Sequence, residues 1–136
     1  MPNKTVIVSL SDEKYFELLL ELIDSINNFD QSKEVDICIL DAGMNDGQIN
    51  TLRKKVKQIK KAEWDIDVPG YKVRNKEWLK SQVSRAFLPN YFPDYENYIW
   101  IDSDAWINDW HAIELLIKGC KMKELAITQT IAPGYR

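Results

Sequence analysis

The chain has 136 residues, with 18 Lys and Arg against 21 Asp and Glu for a net charge of −3. That length suits one domain over residues 1–136, and a composition 45% hydrophobic and 29% charged excludes a disordered tail, a collagen-like repeat and a membrane span. The mildly acidic balance argues against nucleic acid as a partner, because neutralising many phosphates takes a concentrated basic face.

Thr5 to Leu10 is a β-branched run that predicts a first strand. Glu13 to Asn28 follows with Phe16, Leu19, Leu20, Ile23 and Ile26 on one helical stripe. Ser11 or Asp12 is its expected N-cap. Val35 to Leu40 predicts a second strand, closed by the turn residues Asp41-Ala42-Gly43. Asp46 to Lys60 reads as a basic amphipathic helix, with Ile49, Leu52, Val56 and Ile59 inward and Arg53, Lys54, Lys55, Lys57, Lys60 and Lys61 on a solvated face. A third strand is expected at Glu63 to Val68, and a loop at Pro69-Gly70-Tyr71. Glu77 to Tyr91 reads as a helix that Pro89 and Pro93 break. Tyr98 to Ile101 is a fourth strand, continuously apolar as strands buried on both faces are. Trp110 to Gly119 predicts a helix ending at its glycine, and Glu124 to Thr128 a fifth strand. Strands alternating with helices imply a mainly parallel, Rossmann-like α/β sheet with helices on both faces.

Cys38 and Cys120 are far apart and form no C-x-x-C pair, so both read as structural thiols. Met1 to Thr5 carries no leader pattern, and the chain is expected to be cytoplasmic.

In an open α/β sheet, ligands bind outside the carboxyl ends of the strands. The residues there are Ser11 and Asp12, Asp41 and Gly43, Asp67, Asp102 to Asp104, and Thr128 to Thr130. Two Asp-x-Asp pairs occur, Asp65/Asp67 and Asp102/Asp104, against about one expected by chance. Context separates them. Asp102 and Asp104 follow the most apolar strand, and in extended geometry residues i and i+2 share a side. Two carboxylates there suit a hard divalent ion, Mn²⁺ or Mg²⁺, with the other positions left to water and diphosphate oxygens. Asp65 and Asp67 lie in a more polar run that fits a solvent-facing edge. Trp100, inside the fourth strand, reads as core. Trp106 and Trp110 flank the acidic pair as an acceptor or packing surface, and His111 reads as structural.

The segment from Ser84-Arg85-Ala86-Phe87-Leu88-Pro89 through Tyr98-Ile99-Trp100-Ile101-Asp102-Ser103-Asp104-Ala105-Trp106 resembles the R-x-x-L-P and Y-(apolar)-D-x-D region of glycosyltransferase family 8. Leu40-Asp41-Ala42-Gly43, the first-strand exit Ser11 to Tyr15 and Trp106-Ile107-Asn108-Asp109 agree in order and spacing. The resemblance implies a GT-A fold and an enzyme that transfers a sugar from a nucleotide-sugar donor, a UDP-sugar, with retained anomeric configuration. It implies that Asp102 and Asp104 hold Mn²⁺ against the donor diphosphate, that Ser103 faces the ribose, and that Arg85 contacts sugar and phosphate through its planar fork. Asp12 matches the acidic residue that reads the uracil edge, Leu10 would offer backbone contacts, Lys14 a base or ribose contact and Lys80 a phosphate contact. Bland alternatives stay open: Arg85 paired with Glu77 or an aspartate, Asp12 as a helix cap only, Lys80 as a surface lysine. No catalytic nucleophile is evident.

The resemblance also implies a longer enzyme. Family members continue through an acceptor-binding half and a downstream histidine that completes the metal site, so the fold is expected to be a truncated GT-A with an acceptor, whether saccharide, lipid or protein, left undefined. Two rival readings remain: a nucleotide-sugar-binding module without transfer, and a haloacid-dehalogenase-like phosphatase, which prefers Thr or Val where this chain has Trp106. A homo-oligomer stays open.

Overall fold

A computed structural model describes residues 3–128. In chain order the elements are β1 (Thr5–Ser11), α1 (Phe16–Asn27), β2 (Val35–Asp41), α2 (Asp46–Leu52), β3 (Gln58–Lys61), α3 (Gly70–Val73), α4 (Lys80–Ser84), α5 (Leu88–Tyr91), β4 (Asn97–Trp100) and α6 (His111–Lys123). The four strands form one sheet in the order β3-β2-β1-β4, and every pairing is parallel.

Alternation along the central strands sends side chains into two cores. Ile7, Ile37, Ile39 and Ile99 pack against Leu19, Leu22, Ile23 and Ile26 of α1, Leu52 of α2 and Ile113 of α6. Val6, Val8, Leu10, Cys38 and Leu40 pack on the opposite face against Leu88, Tyr91 and Phe92 at α5. Helices therefore cover both faces of a parallel sheet, as expected of this α/β class.

Several boundaries differ from the sequence expectation, each for a physical reason. Helix α1 begins at Phe16, three residues later than expected; Asp12 accepts the Tyr15 N–H at 3.0 Å and closes the turn before it. The basic helix expected to reach Lys60 stops at Leu52. A capping box between Asn45 and Gln48 starts it, but its extension would stack Arg53, Lys54, Lys55 and Lys57 with no acidic partner one turn away, which opposes the helix. The Lys57 N–H instead bonds the Ile37 carbonyl at 2.8 Å and the chain enters β3 beside β2. The third strand is thus Gln58–Lys61 and not Glu63 to Val68. Because β2 ends at Asp41, residues beyond Ala62 have no backbone edge left to pair with.

The helix expected over Glu77 to Tyr91 is four short pieces, with tight 3₁₀ turns at Glu77–Leu79 and Arg85–Phe87 around α4. Pro89 has no N–H to give the Arg85 carbonyl, and its ring crowds that carbonyl. Helix α6 runs past Gly119 to Lys123 and closes at Glu124 in the left-handed region, φ 66°. Gly119 serves a different end, since a Cβ there would meet the Ala126 Cβ at 2.8 Å. The chain after α6 folds back on that bare spot. Glu124 to Thr128 is consequently not a strand, and Leu125 and Ile127 stand 73% and 81% exposed. Gln129 and Thr130 lie outside the described residues. Among the described residues no helix is long and apolar enough to cross a membrane.

Candidate active site

Strand order locates the site before any side chain is considered. From β1 the chain steps to β2 and β3 on one side, and β4 then returns to the other side of β1. The order reverses at β1/β4, which is where open α/β sheets leave a crevice. Strand β4 pairs only with Thr5–Val8, so the last residues of β1, Ser9–Ser11, have no ladder neighbour on that side. A cavity of about 430 Å³ opens there, between the exits of the two strands and the helical segment of residues 77–85.

Its lining gathers residues from three distant segments: Leu10, Asp12 and Lys14 after β1, Arg85 at the end of α4, and Asp102, Ser103 and Asp104 after β4. At the β1 exit the Ser11 hydroxyl donates to the Asp12 carbonyl at 2.8 Å, and Asp12 Oδ1 takes the Tyr15 N–H. Asp12 is therefore a turn-closing residue that also faces the cavity. The Lys14 ammonium lies 5.8 Å from the centre of the Tyr15 ring.

The acidic pair does not sit in extended chain. Strand β4 ends at Trp100, and the Ala105 N–H bonds the Asp102 carbonyl at 2.9 Å, so Asp102 to Ala105 is a tight turn. The sharing of a side by residues i and i+2 of a strand thus does not apply; the turn brings both carboxylates to the cavity. Asp102 Oδ1 accepts two bonds, from Trp100 Nε1 at 2.7 Å and Arg85 Nη2 at 3.1 Å. Arg85 Nε donates to the Ser81 carbonyl at 3.0 Å. Of the alternatives for Arg85, its partner is an aspartate and not Glu77.

Lys80 stands apart. It is buried, pairs with Glu77, and holds its ammonium 5.7 Å from the Trp64 ring centre; it does not line the cavity. His111 is also elsewhere, 3.3 Å from Glu114 Oε2. Trp110 is buried against Phe29, whereas Trp106 is exposed. Asp65 accepts the Tyr91 hydroxyl at 2.8 Å, and Asp67 is exposed, so this second acidic pair is divided between a structural bond and solvent.

Sequence reasoning missed Tyr15, Trp78, Ser81, Gln82 and Trp100, all of which line the cavity. Residues 78, 81, 82 and 85 follow the i, i+3, i+4, i+7 spacing of one helical face, a signal available once Arg85 is suspected. Trp100, read as core, hydrogen-bonds Asp102 two residues on.

The sequence model of the family described as glycosyl transferase family 8 matches residues 6–113, a span holding every residue of this cavity. The chain belongs to glycosyl transferase family 8. Two solved structures share the fold. One is an active-site mutant of LgtC, 17% identical with a TM-score of 0.57. The other is the galactosyltransferase LgtC in complex with donor and acceptor sugar analogues, 16% identical with a TM-score of 0.58. Each alignment covers 79% of this chain and 41% of the LgtC chain, so this chain spans about two fifths of that length. None of the curated protein sequences matches it.

Proposed function

We propose that this chain forms the donor-binding part of a metal-dependent glycosyltransferase that takes a nucleotide-sugar, a UDP-sugar, as donor. The observation that carries the reading is the convergence of Asp12, Lys14, Arg85, Asp102, Ser103 and Asp104 on the β1/β4 crevice, a ligand position in its own right. Family membership supports the donor class, and it supports transfer with retained configuration.

The acidic turn suits a divalent cation in its chemistry. Asp102 and Asp104 supply hard oxygen donors, and among the described residues no third His, Cys, Asp or Glu joins them. The remaining coordination positions fall to phosphate oxygens, water or residues outside the described set. When bound, such an ion stabilises the anionic charge that develops on a departing nucleoside diphosphate.

The chain's own residues do the rest. Arg85, an always-charged fork held by Ser81 and Asp102, meets phosphate and sugar oxygens while leaving donors free. Asp12 offers an acceptor to the imide edge of uracil, and Lys14 a cation at the ribose side. Ser103 contributes a hydroxyl and backbone between the two carboxylates. Lys80, engaged by Glu77, has no part in this reading. Two free cysteines, one of them buried, support a reducing, cytoplasmic setting.

The second reading is a nucleotide-sugar-binding module without transfer. The phosphatase reading is set aside by the family match. Calorimetric titration of UDP with and without Mn²⁺ tests the proposal. Metal-dependent binding that Asp102→Ala and Asp104→Ala both abolish supports it; metal-independent binding, or none, overturns it. Release of UDP from a panel of UDP-sugars separates enzyme from module.

A further inference from the structure

We propose that Trp100 is a positioning residue of the donor site. Its indole N–H fixes Asp102, and its ring supports Arg85, so that carboxylate and guanidinium are set before a ligand arrives. This rests on the donor-site reading above.

The geometry is a closed three-membered cluster. Trp100 Nε1 donates to Asp102 Oδ1 at 2.7 Å, Arg85 Nη2 donates to the same oxygen at 3.1 Å, and the guanidinium carbon lies 5.2 Å from the centre of the Trp100 ring. Each member touches the other two. The two donors are not equivalent. An indole N–H is neutral, donates only, and cannot titrate. It orients the carboxylate without cancelling its charge, whereas Arg85 brings a full positive charge that competes with a cation. Both bonds go to Oδ1, which leaves Oδ2 to a ligand.

The backbone makes the indole the more dependable partner. Trp100 is the last residue of β4 and is locked in register opposite Val8, and it is half-buried. Asp102 lies two residues further on, so the bond spans a short, fixed piece of chain. Arg85 reaches Asp102 from a different element through a long, flexible side chain. When Arg85 turns part of its fork toward a donor phosphate, the Trp100 bond still holds Asp102 in place, and the ring remains under the guanidinium as a cation–π platform. Groups that orient a ligating side chain in this way change metal affinity when removed, although they never touch the ion.

The test compares Trp100→Phe, which keeps an aromatic face but loses the donor, with Trp100→Leu, which loses both. UDP is titrated calorimetrically with and without Mn²⁺. Trp100→Phe is expected to weaken Mn²⁺-dependent UDP binding by roughly tenfold while its circular-dichroism spectrum stays that of the unmodified chain; Trp100→Leu is expected to weaken that binding further. If Trp100→Phe binds UDP and Mn²⁺ as the unmodified chain does, the inference falls while the donor-site reading stands. If the unmodified chain shows no metal-dependent UDP binding, both fall.

A second measurement needs no Trp100 variant to fold. In ¹⁵N spectra of the unmodified chain, one indole N–H resonance should move when Asp102→Asn is introduced and broaden selectively with sub-stoichiometric Mn²⁺. No indole resonance responding to either change overturns the inference.

Discussion

Two crevices open on the same sheet, one at the carboxyl ends of β1 and β4 and one along β3 beneath α2, and they use similar residue types to different ends. At β1/β4 a cavity of about 430 Å³ is lined by Asp12, Arg85, Asp102 and Asp104 together with Tyr15, Trp78 and Trp100. At β2/β3 one of about 360 Å³ is lined by Asp41, Asp46, Arg53, Lys57 and Lys61, with no aromatic residue. In the second crevice the key carboxylate is already committed to the fold. Asp41 Oδ1 accepts the backbone N–H groups of Gly43 at 2.9 Å and Met44 at 2.7 Å, and Gly43 takes φ 126°, which a side chain would oppose. Its lysines stand on or beside an edge strand, where charge discourages pairing with another chain. In the first crevice Asp104 makes no side-chain bond among the described residues, and Asp102 shares one oxygen only. Carboxylates beside cationic side chains are common to both. What separates them is the reversal of strand order, which removes a neighbour from the end of β1, and the supply of polar groups the fold does not consume.

The largest expected effect is on the first crevice. Asp102→Ala and Asp104→Ala should each abolish metal-dependent UDP binding, while Lys57→Ala and Lys61→Ala leave the calorimetric isotherm unchanged. Lost binding in the lysine variants would reverse the assignment of the two crevices. Arginine provides a finer contrast. Arg85→Ala should weaken UDP binding by about tenfold, as expected for a charge-assisted bond, and Arg85→Lys should not restore it, because an ammonium cannot fork. Arg53→Ala, which loses only a bond to Asn50, should change nothing.

Asp41→Ala addresses the other side of the comparison. It should lower the urea unfolding free energy by about 1–2 kcal/mol through two lost backbone acceptor contacts, with UDP affinity intact. A loss of affinity without loss of stability would show that Asp41 is a ligand-binding group after all.

Stability and binding should also part company in alkaline solution. Burial pushes the Cys38 thiol on β2 from 9.0 up to about 11. Burial, then the Asp36 hydrogen bond, raises the Tyr95 phenol. Both shifts favour the neutral form in the folded chain. The stabilisation is therefore complete below pH 9, where the unfolded thiol is protonated, and is lost as pH rises toward 11. Thermal midpoints should fall over that window, and Cys38→Ala should reduce the slope. The smallest effect concerns β1 itself, where the Ser9 hydroxyl is buried without a partner among the described residues. Ser9→Ala should raise the unfolding free energy by about 0.5–1 kcal/mol; a decrease would mean that the hydroxyl is satisfied.

Much of this was legible in the residues alone. Thr5 to Leu10 and Val35 to Leu40 are short, mainly apolar runs rich in β-branched residues, as strands covered on both faces are, and they formed as expected. The stripe through Phe16, Leu19, Ile23 and Ile26 specified α1. Polar segments were less legible. Gln58 to Lys61 has the composition of a helix surface and became a strand because the β2 backbone offered it a partner; Leu125 and Ile127 have the composition of a strand and found none.

The same division runs through the site. Local sequence determined which chemical groups this protein carries at its strand exits, because an apolar run followed by Asp-Ser-Asp reads the same in any context. Tertiary structure decided which of those groups share a space. It placed Arg85 on Asp102 across seventeen residues, turned Lys80 away onto Glu77, spent Asp41 on a turn, and made Trp100 a partner of the acidic turn instead of core. Those choices depend on strand order and on where each ladder ends, which are properties of backbone pairing between distant segments and leave no mark in the spacing of residues along the chain.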